Sequence, residues 1–366
     1  MKNVSPSQPL SQREFSHILL WMPNWIGDVI LAMPTFQSLR ERYPNARITA
    51  VVRSSAEELL RTHPDIDSVI RISYAEADSI FDKIDFGRDL KKYGFDLAVV
   101  FPNSFRSAFM TALTGAKVRL GYAVNGRGWL LTHPMPATPE RVASHRTRYY
   151  FDILSPLGLK EMKTRFRDVV PPEVDGFADR RLRESGFEEG EPFIAVHPGS
   201  SKPERGWHIN RFGMLCQRLI KERGVKIVLL GGKADAEALE EISRVCPPGS
   251  VRPIADLGLH ATAAMIRKSV LFIGNDSGIM HLAAMVDTPI IGIFGPGHPA
   301  ATGPFISPGR REIITRDYPC SPCRQRFFRE CKPSPHNKPY CLEDISVNDV
   351  AAVAIIMLEQ IKAGML

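Results

Sequence analysis

Four short strings in this chain of 366 residues combine residue types that can grip an anion or move a proton. Pro23-Asn24-Trp25-Ile26-Gly27-Asp28 follows an apolar run and leads into a helical pattern. A carboxylate there, beside a glycine that allows close backbone approach, can serve as a general base. It can equally cap the helix N-terminus, where Asp accepts from unpaired amides. His197-Pro198-Gly199-Ser200-Ser201, with Arg205-Gly206-Trp207 behind it, offers hydroxyls, a glycine and a cation after a strand. That is the composition of a phosphate clamp, although it is no Walker loop, which needs GxxxxGK[ST]. VLLGG ends in Gly231 and Gly232, with Lys233, Asp235 and Glu237 beyond, a place for a ribose or adenine. FIGNDSGIMHLAA runs a strand through Gly274 and Asn275 into Asp276, Ser277, Gly278 and a helix carrying His281. The amides of such a helix N-terminus suit a diphosphate, with capping by Asp276 or Ser277 as the structural alternative.

Cys320, Cys323, Cys331 and Cys341 form C-x2-C-x7-C-x9-C among Pro319, Pro322, Pro333, Pro335 and Pro339. Four thiols at this range can hold a tetrahedral zinc ion, while disulfides or free thiols are the alternatives. The loop is expected to be structural and away from the chemistry. Cys216 and Cys246 fall in helical patterns and read as core. Asp65-Ile66-Asp67 spells a DxD of the kind that holds a divalent cation, but it follows Pro64 in a turn, where Asp bonds its own backbone, so it reads as structural. Gly121 to Gly128 reads as a loop.

The elements that must position these strings alternate in type. Short apolar runs, Ile18 to Met22, Ile48 to Val52, Val69 to Ile72, Leu97 to Phe101 and Val118 to Gly121, are separated by helical patterns. A second series starts at Phe193 to Val196 and continues through Lys226 to Leu230, Val270 to Ile273, Ile290 to Phe294 and Glu312 to Ile314. Such alternation builds parallel sheets from crossover units, so the fold class is α/β with two doubly wound domains, whose ligands bind at the carboxyl ends of the strands. The expected boundaries are a disordered extension 1–16, a first domain 17–175 and a second domain 176–345 that contains the cysteine-rich loop 319–342. A C-terminal helix in 346–366 is expected to cross back to the first domain.

Hydrophobic residues make up 44% and charged ones 24%, and Gly and Pro (27 and 29) show no period, which excludes disordered, collagenous and repeat classes. No run approaches the roughly 18 to 20 apolar residues that span a bilayer. The polar N-terminus lacks the apolar core of a secretory signal, so a reducing cytoplasm is the expected compartment. Lys plus Arg number 47 against 40 acids, and the whole excess of +7 lies in 101–170, which holds 11 basic and four acidic residues. This suits an anionic partner; nucleic acid is disfavoured because the segment lacks interleaved aromatic platforms.

PNWIGDVILAMP, PNSFRSA with a following RLGY, HPGSS with RGW, LLGG, and NDSGIMHLAA with IGIFGP together resemble glycosyltransferase family 9, the ADP-heptose:lipopolysaccharide heptosyltransferases. CSPC to YCLEDI is similar to the cysteine loop of the type II members, and the resemblance runs from about His17 onward. It implies the GT-B architecture and inverting transfer of heptose to the lipopolysaccharide inner core, with Asp28 as base and no catalytic cofactor. By the same resemblance, Ser200, Ser201, Arg205, Gly232, Asp235, Asp276, Ser277, Gly278 and His281 bind the ADP-sugar. Asn103, Ser104, Arg106, Arg119 and Arg148 bind the anionic acceptor, with the protein peripheral at the cytoplasmic face of the inner membrane. Arg205 stands where some members carry a lysine, and a guanidinium grips a diphosphate with different geometry. A nucleotide-sugar epimerase of the same fold, active without acceptor, and a non-catalytic nucleotide-binding module are the rival readings.

Overall fold

A computed structural model describes residues 8–73, 79–320 and 323–366, and the chain divides into two units between Val169 and Val170. The first unit carries β1 (His17–Trp21), β2 (Arg47–Val52), β3 (Ser68–Arg71), β4 (Leu97–Val100), β5 (Val118–Tyr122) and β6 (His133–Met135). The second carries β7 (Phe193–His197), β8 (Lys226–Gly231), β9 (Val251–Ala255), β10 (Leu271–Asn275), β11 (Ile290–Ile293) and β12 (Arg311–Ile314). All pairings are parallel. The central strands are apolar throughout because helices cover both faces, as in β4, where Leu97, Ala98, Val99 and Val100 are all buried.

The two sheets are wound alike, β3-β2-β1-β4-β5-β6 and β12-β11-β10-β7-β8-β9. Strand order therefore reverses between β1 and β4 and again between β7 and β10, the places where doubly wound sheets bind ligands. The string ending in Asp28 leaves β1, and Asn103 and Ser104 follow β4. The Ser200 to Arg205 loop leaves β7, and Asp276 and Ser277 follow β10.

One strand per sheet was not expected. β6 contains Pro134 and β9 contains Pro253, and both lie at a sheet edge, where a residue without an N–H is tolerated because no neighbour needs its hydrogen bond. The helical pattern after Asp28 forms two helices, Ile26–Ala32 and Pro34–Arg42, because Pro34 cannot supply the N–H that a continuous helix requires.

Three boundaries need correction. Residues 1–7 of the expected extension, like Pro322, lie outside the described residues, but Leu10 and Phe15 are buried and Phe15 packs edge-on against Tyr43 at 5.5 Å. Arg42 fastens this segment by pairing with Glu14 at 2.9 Å and donating to the carbonyls of Ser11 and Arg13. The second unit begins at Val170 instead of 176 and includes a 13-residue helix, Pro172–Glu184. It belongs to the second unit, where Asp175 and Asp179 meet Arg267 and Lys268 at 3.4 and 2.8 Å. The C-terminal helix, Val347–Lys362, packs within the second unit. Its Val350, Ala351, Ala354 and Met357 join the core around Trp207, Phe212 and Leu215.

Asp65 and Asp67 are structural. Asp67 accepts from Arg40 and from the Ile48 amide, both at 2.6 Å, and buried Asp65 faces Arg167 at 3.4 Å.

The loop after β4 hangs on one guanidinium. Arg127 is fully buried and donates to the carbonyls of Tyr122 (2.8 Å), Pro102 and Ser104 (3.4 Å) and to Asn103 Oδ1 (3.4 Å). Burial pulls its pKa down to about 10, which still leaves it charged at neutral pH. Arg127→Met keeps the stem but strands those carbonyls, and should cost the first unit about 2–4 kcal/mol in urea unfolding. A loss below about 0.5 kcal/mol would show that the carbonyls find other donors.

Candidate active site

Asp28 is the third residue of the helix Ile26–Ala32, whose N-cap Trp25 makes no side-chain bond to it. Its Oδ1 accepts from the Tyr150 phenol at 2.9 Å. Tyr150 is buried on the helix Arg146–Asp152 and stands edge-on to Phe101, the residue after β4, at 5.6 Å. Burial first, and the Asp28 charge second, push its pKa well above the usual phenol value, so it stays a donor. Next to it, the Tyr149 hydroxyl accepts from Asn103 Nδ2 at 2.8 Å, while the Tyr149 ring stacks on Tyr122 at 4.1 Å. Tyr122 donates in turn to the Tyr149 carbonyl at 2.7 Å. Asn103 is thus fixed from two sides, by Tyr149 and by Arg127. No local motif announces Tyr150, since 122 residues separate it from Asp28.

The expected acceptor cations fare unevenly. Ser104 caps the helix Phe105–Leu113 through the Ser107 amide (3.1 Å), and Arg106 is exposed in the first turn of that helix. Arg119 is a correction. It sits near the amino end of β5, and its guanidinium donates to the carbonyls of Leu130 (2.8 Å) and Ala116 (2.7 Å), so it serves the sheet rather than the switch point. Arg148 pairs along its own helix with Asp152 at 2.7 Å. Lys163 meets Glu41 and Arg167 meets Asp65, so part of the local +7 is neutralised internally.

In the second unit Asn275 joins the two switch-point loops. Fully buried, it donates to the Pro198 carbonyl at 2.7 Å and accepts from the Trp207 amide at 2.9 Å. Beside it the Arg205 guanidinium forms an ion pair with the buried Asp276 carboxylate and also donates to the Asp276 carbonyl at 3.3 Å. Arg205 Nε is buried without a hydrogen-bond partner. Ser277 occupies the N-cap of the helix Gly278–Met285, yet its side chain makes no capping bond and its buried hydroxyl has no hydrogen-bond partner, which removes capping as its explanation. His281 is buried on this helix. Burial lowers the His197 pKa to about 4, so that ring is neutral, and its Nδ1 has no hydrogen-bond partner.

Ser200 donates to the Lys202 carbonyl at 2.9 Å, and Ser201 is exposed. Asp235 is turned onto the Gly232 amide at 2.9 Å, and both its oxygens lie 3.0 Å from where a Cβ on Gly199 would stand. The third string therefore packs against the second, and Asp235 is already engaged in closing the Gly232 turn. Gly297, after β11, has no room for a Cβ because the Asp276 carboxylate occupies that space.

The cysteine loop is not distant from this site. Lys338 donates to the Pro203 carbonyl at 2.6 Å, and Lys202 lies over the Phe327 ring at 5.7 Å. All four cysteines and Pro296, the neighbour of Gly297, line one cavity of about 180 Å³. Burial first, then the other three thiols, push the Cys341 pKa up to about 12. Among the described residues no three His, Cys, Asp or Glu side chains already stand in a metal-binding arrangement. Glu343 ties the loop to the helix Ile209–Arg223, accepting from Arg211 at 2.7 Å and from Ser334 at 2.7 Å, with His208 Nε2 at 3.0 Å.

Comparison with known proteins agrees with this geometry. The model of glycosyltransferase family 9 (heptosyltransferase) matches residues 84–332. Lipooligosaccharide heptosyltransferase 2 of Haemophilus ducreyi is 26% identical over 316 residues, 82% of this chain and 88% of its own. Lipopolysaccharide heptosyltransferase 2 of Escherichia coli K12 is 26% identical over 297 residues, 79% of this chain and 85% of its own. The structure of E. coli ADP-heptose lps heptosyltransferase II matches with a TM-score of 0.76 at 23% identity, covering 94% of this chain and 99% of that one. With the family pattern running through more than half of its length and both sheets wound as described, the chain belongs to glycosyltransferase family 9.

Proposed function

We propose that this protein is an inverting heptosyltransferase that moves heptose from ADP-heptose to a hydroxyl of the lipopolysaccharide inner core. The observation that carries this reading is the pairing of unlike chemistries at like places. A carboxylate stands at the switch point of one sheet, and an arginine with an N-terminal helix turn stands at that of the other.

In the reaction the acceptor oxygen bonds to the anomeric carbon as the bond from that carbon to the ADP oxygen breaks. Asp28 takes the hydroxyl proton, and ADP leaves carrying the electron pair. Arg205 and the amides at the start of the helix Gly278–Met285 meet the developing diphosphate charge, with the unpartnered Ser277 hydroxyl beside them, and the step needs no cation. Asp276 holds Arg205 until the nucleotide arrives. Asn103, Ser104 and Arg106 edge the acceptor side, and the phosphates and carboxylates of an inner core give Arg106 its purpose. Such an acceptor is membrane-bound, so the protein works as a peripheral enzyme at the cytoplasmic face of the inner membrane. No helix among the described residues is long and apolar enough to cross a bilayer.

The cysteine cavity is read as a structural zinc site, in which Cys320, Cys323, Cys331 and Cys341 close on the ion as thiolates and stiffen the support of the Pro203 to Arg205 turn. Protein purified under reducing conditions should carry about one zinc per chain. Less than a small fraction of one by elemental analysis, together with normal thermal stability of Cys331→Ser, would remove this role.

Asp28→Asn keeps shape but not basicity. It should lower kcat by about 100- to 10,000-fold while calorimetry finds ADP-heptose binding unchanged. Near-normal kcat would make Asp28 a structural residue. Arg205→Ala should raise the KM for ADP-heptose by roughly 10- to 100-fold and leave the acceptor KM alone. The reverse pattern in steady-state kinetics would exchange the roles of the two units.

A further inference from the structure

We propose that Tyr150 is a positioning residue for the transfer reaction: its phenol fixes Oδ1 of Asp28 and keeps the carboxylate ionised at the pH where it must accept a proton. This rests on the reading of Asp28 as the base. The contact joins two helices that pack on each other, Ile26–Ala32 and Arg146–Asp152, so the donor is held by the fold and not by a mobile side chain. The Tyr150 ring has little freedom, buried between Phe101 at 5.6 Å and Tyr149 at 6.0 Å, both edge-on. Beneath it, Tyr149 is locked by Asn103 and stacked on Tyr122, and Asn103 accepts in turn from Arg127. A chain of contacts thus runs from a guanidinium in the β5–β6 loop to the carboxylate after β1.

The direction of the effect follows from hydrogen bonding. A donor aimed at a carboxylate favours its charged form and lowers its pKa, and it also sets the rotamer from which the proton is taken. Other charged groups stand near the pair. Arg146 lies over the Tyr149 ring at 4.9 Å, and its field reaches Tyr150. Arg53 donates to Asn24, in the loop before Asp28, at 3.3 Å. On the neighbouring helix Ser54–Arg61, Glu57 is held by Arg61 at 2.9 Å. None of these would be removed by deleting the phenol oxygen, so the deletion isolates the hydrogen bond.

The test is the pH profile of kcat and kcat/KM for the full-length chain, with ADP-heptose and an inner-core acceptor, for wild type and Tyr150→Phe. The acid limb, where Asp28 protonates, should move to higher pH by about one unit, and kcat at neutral pH should fall about tenfold, with the KM for ADP-heptose unchanged. Should Tyr150→Phe fail to fold, 3-fluorotyrosine at position 150 replaces it. This residue keeps the shape and donates more strongly, and should move the acid limb to lower pH. An acid limb that stays in place in a folded variant overturns the proposal. The base assignment fails separately, through an active Asp28→Asn, so the two failures cannot be confused.

Discussion

Neighbouring parallel strands at a switch point send their chains to opposite faces of the sheet, so the two loops diverge and leave main-chain carbonyls between them with no ladder partner. A buried carbonyl left unpaired costs as much as a lost hydrogen bond, and the divergence must be bridged by side-chain donors. Each unit fastens a switch-point loop with a fully buried side chain. In the second, Asn275 donates to the Pro198 and Gly199 carbonyls and accepts from the Trp207 amide. In the first, Arg127 donates to the Pro102, Ser104 and Tyr122 carbonyls. Arg205 and Asp276 sit on the loops that Asn275 joins, and Asn103 and Ser104 on the loop that Arg127 holds.

The two bridges differ in kind, and the difference bears on what each loop can do. An amide is neutral and can both donate and accept, so Asn275 fastens two loops to each other. A guanidinium only donates, and Arg127 brings a positive charge beneath Asn103, with no carboxylate among the described residues bonded to it in return. The charge in the second unit is handled otherwise: Arg205 is held by the Asp276 carboxylate. Pre-positioning of this sort limits how much side-chain freedom is lost on binding.

Much of this arrangement was legible in the residues. The central strands could be placed because buried parallel strands are plain apolar runs, and the glycine and hydroxyl strings fell at their carboxyl ends. β6 and β9 were missed because a proline inside a strand argues against one, and only the finished sheet reveals that these two are edges. The N-terminal segment was underestimated because Leu10 and Phe15 are isolated apolar residues, and Tyr43, which covers Phe15, comes from later in the chain. Arg119 was misjudged for another reason: a charge within a motif says nothing about which end of its strand it occupies. Tyr150 lay out of reach altogether, because its meaning depends on two helices meeting, and no spacing in the chain encodes that.

The glycines around the second switch point invite description as a flexible loop, and their backbone geometry points the other way. Gly199, Gly231, Gly274, Gly295 and Gly297 are absent from the positive-φ residues, so any amino acid could adopt their conformation. What they lack is space: a Cβ would strike Asp235 at Gly199 and at Gly231, Phe272 at Gly274, Leu342 at Gly295 and Asp276 at Gly297. Glycine here marks density, not motion. Around this switch point a larger residue in place of a glycine needs the side chain pressed against it to give way.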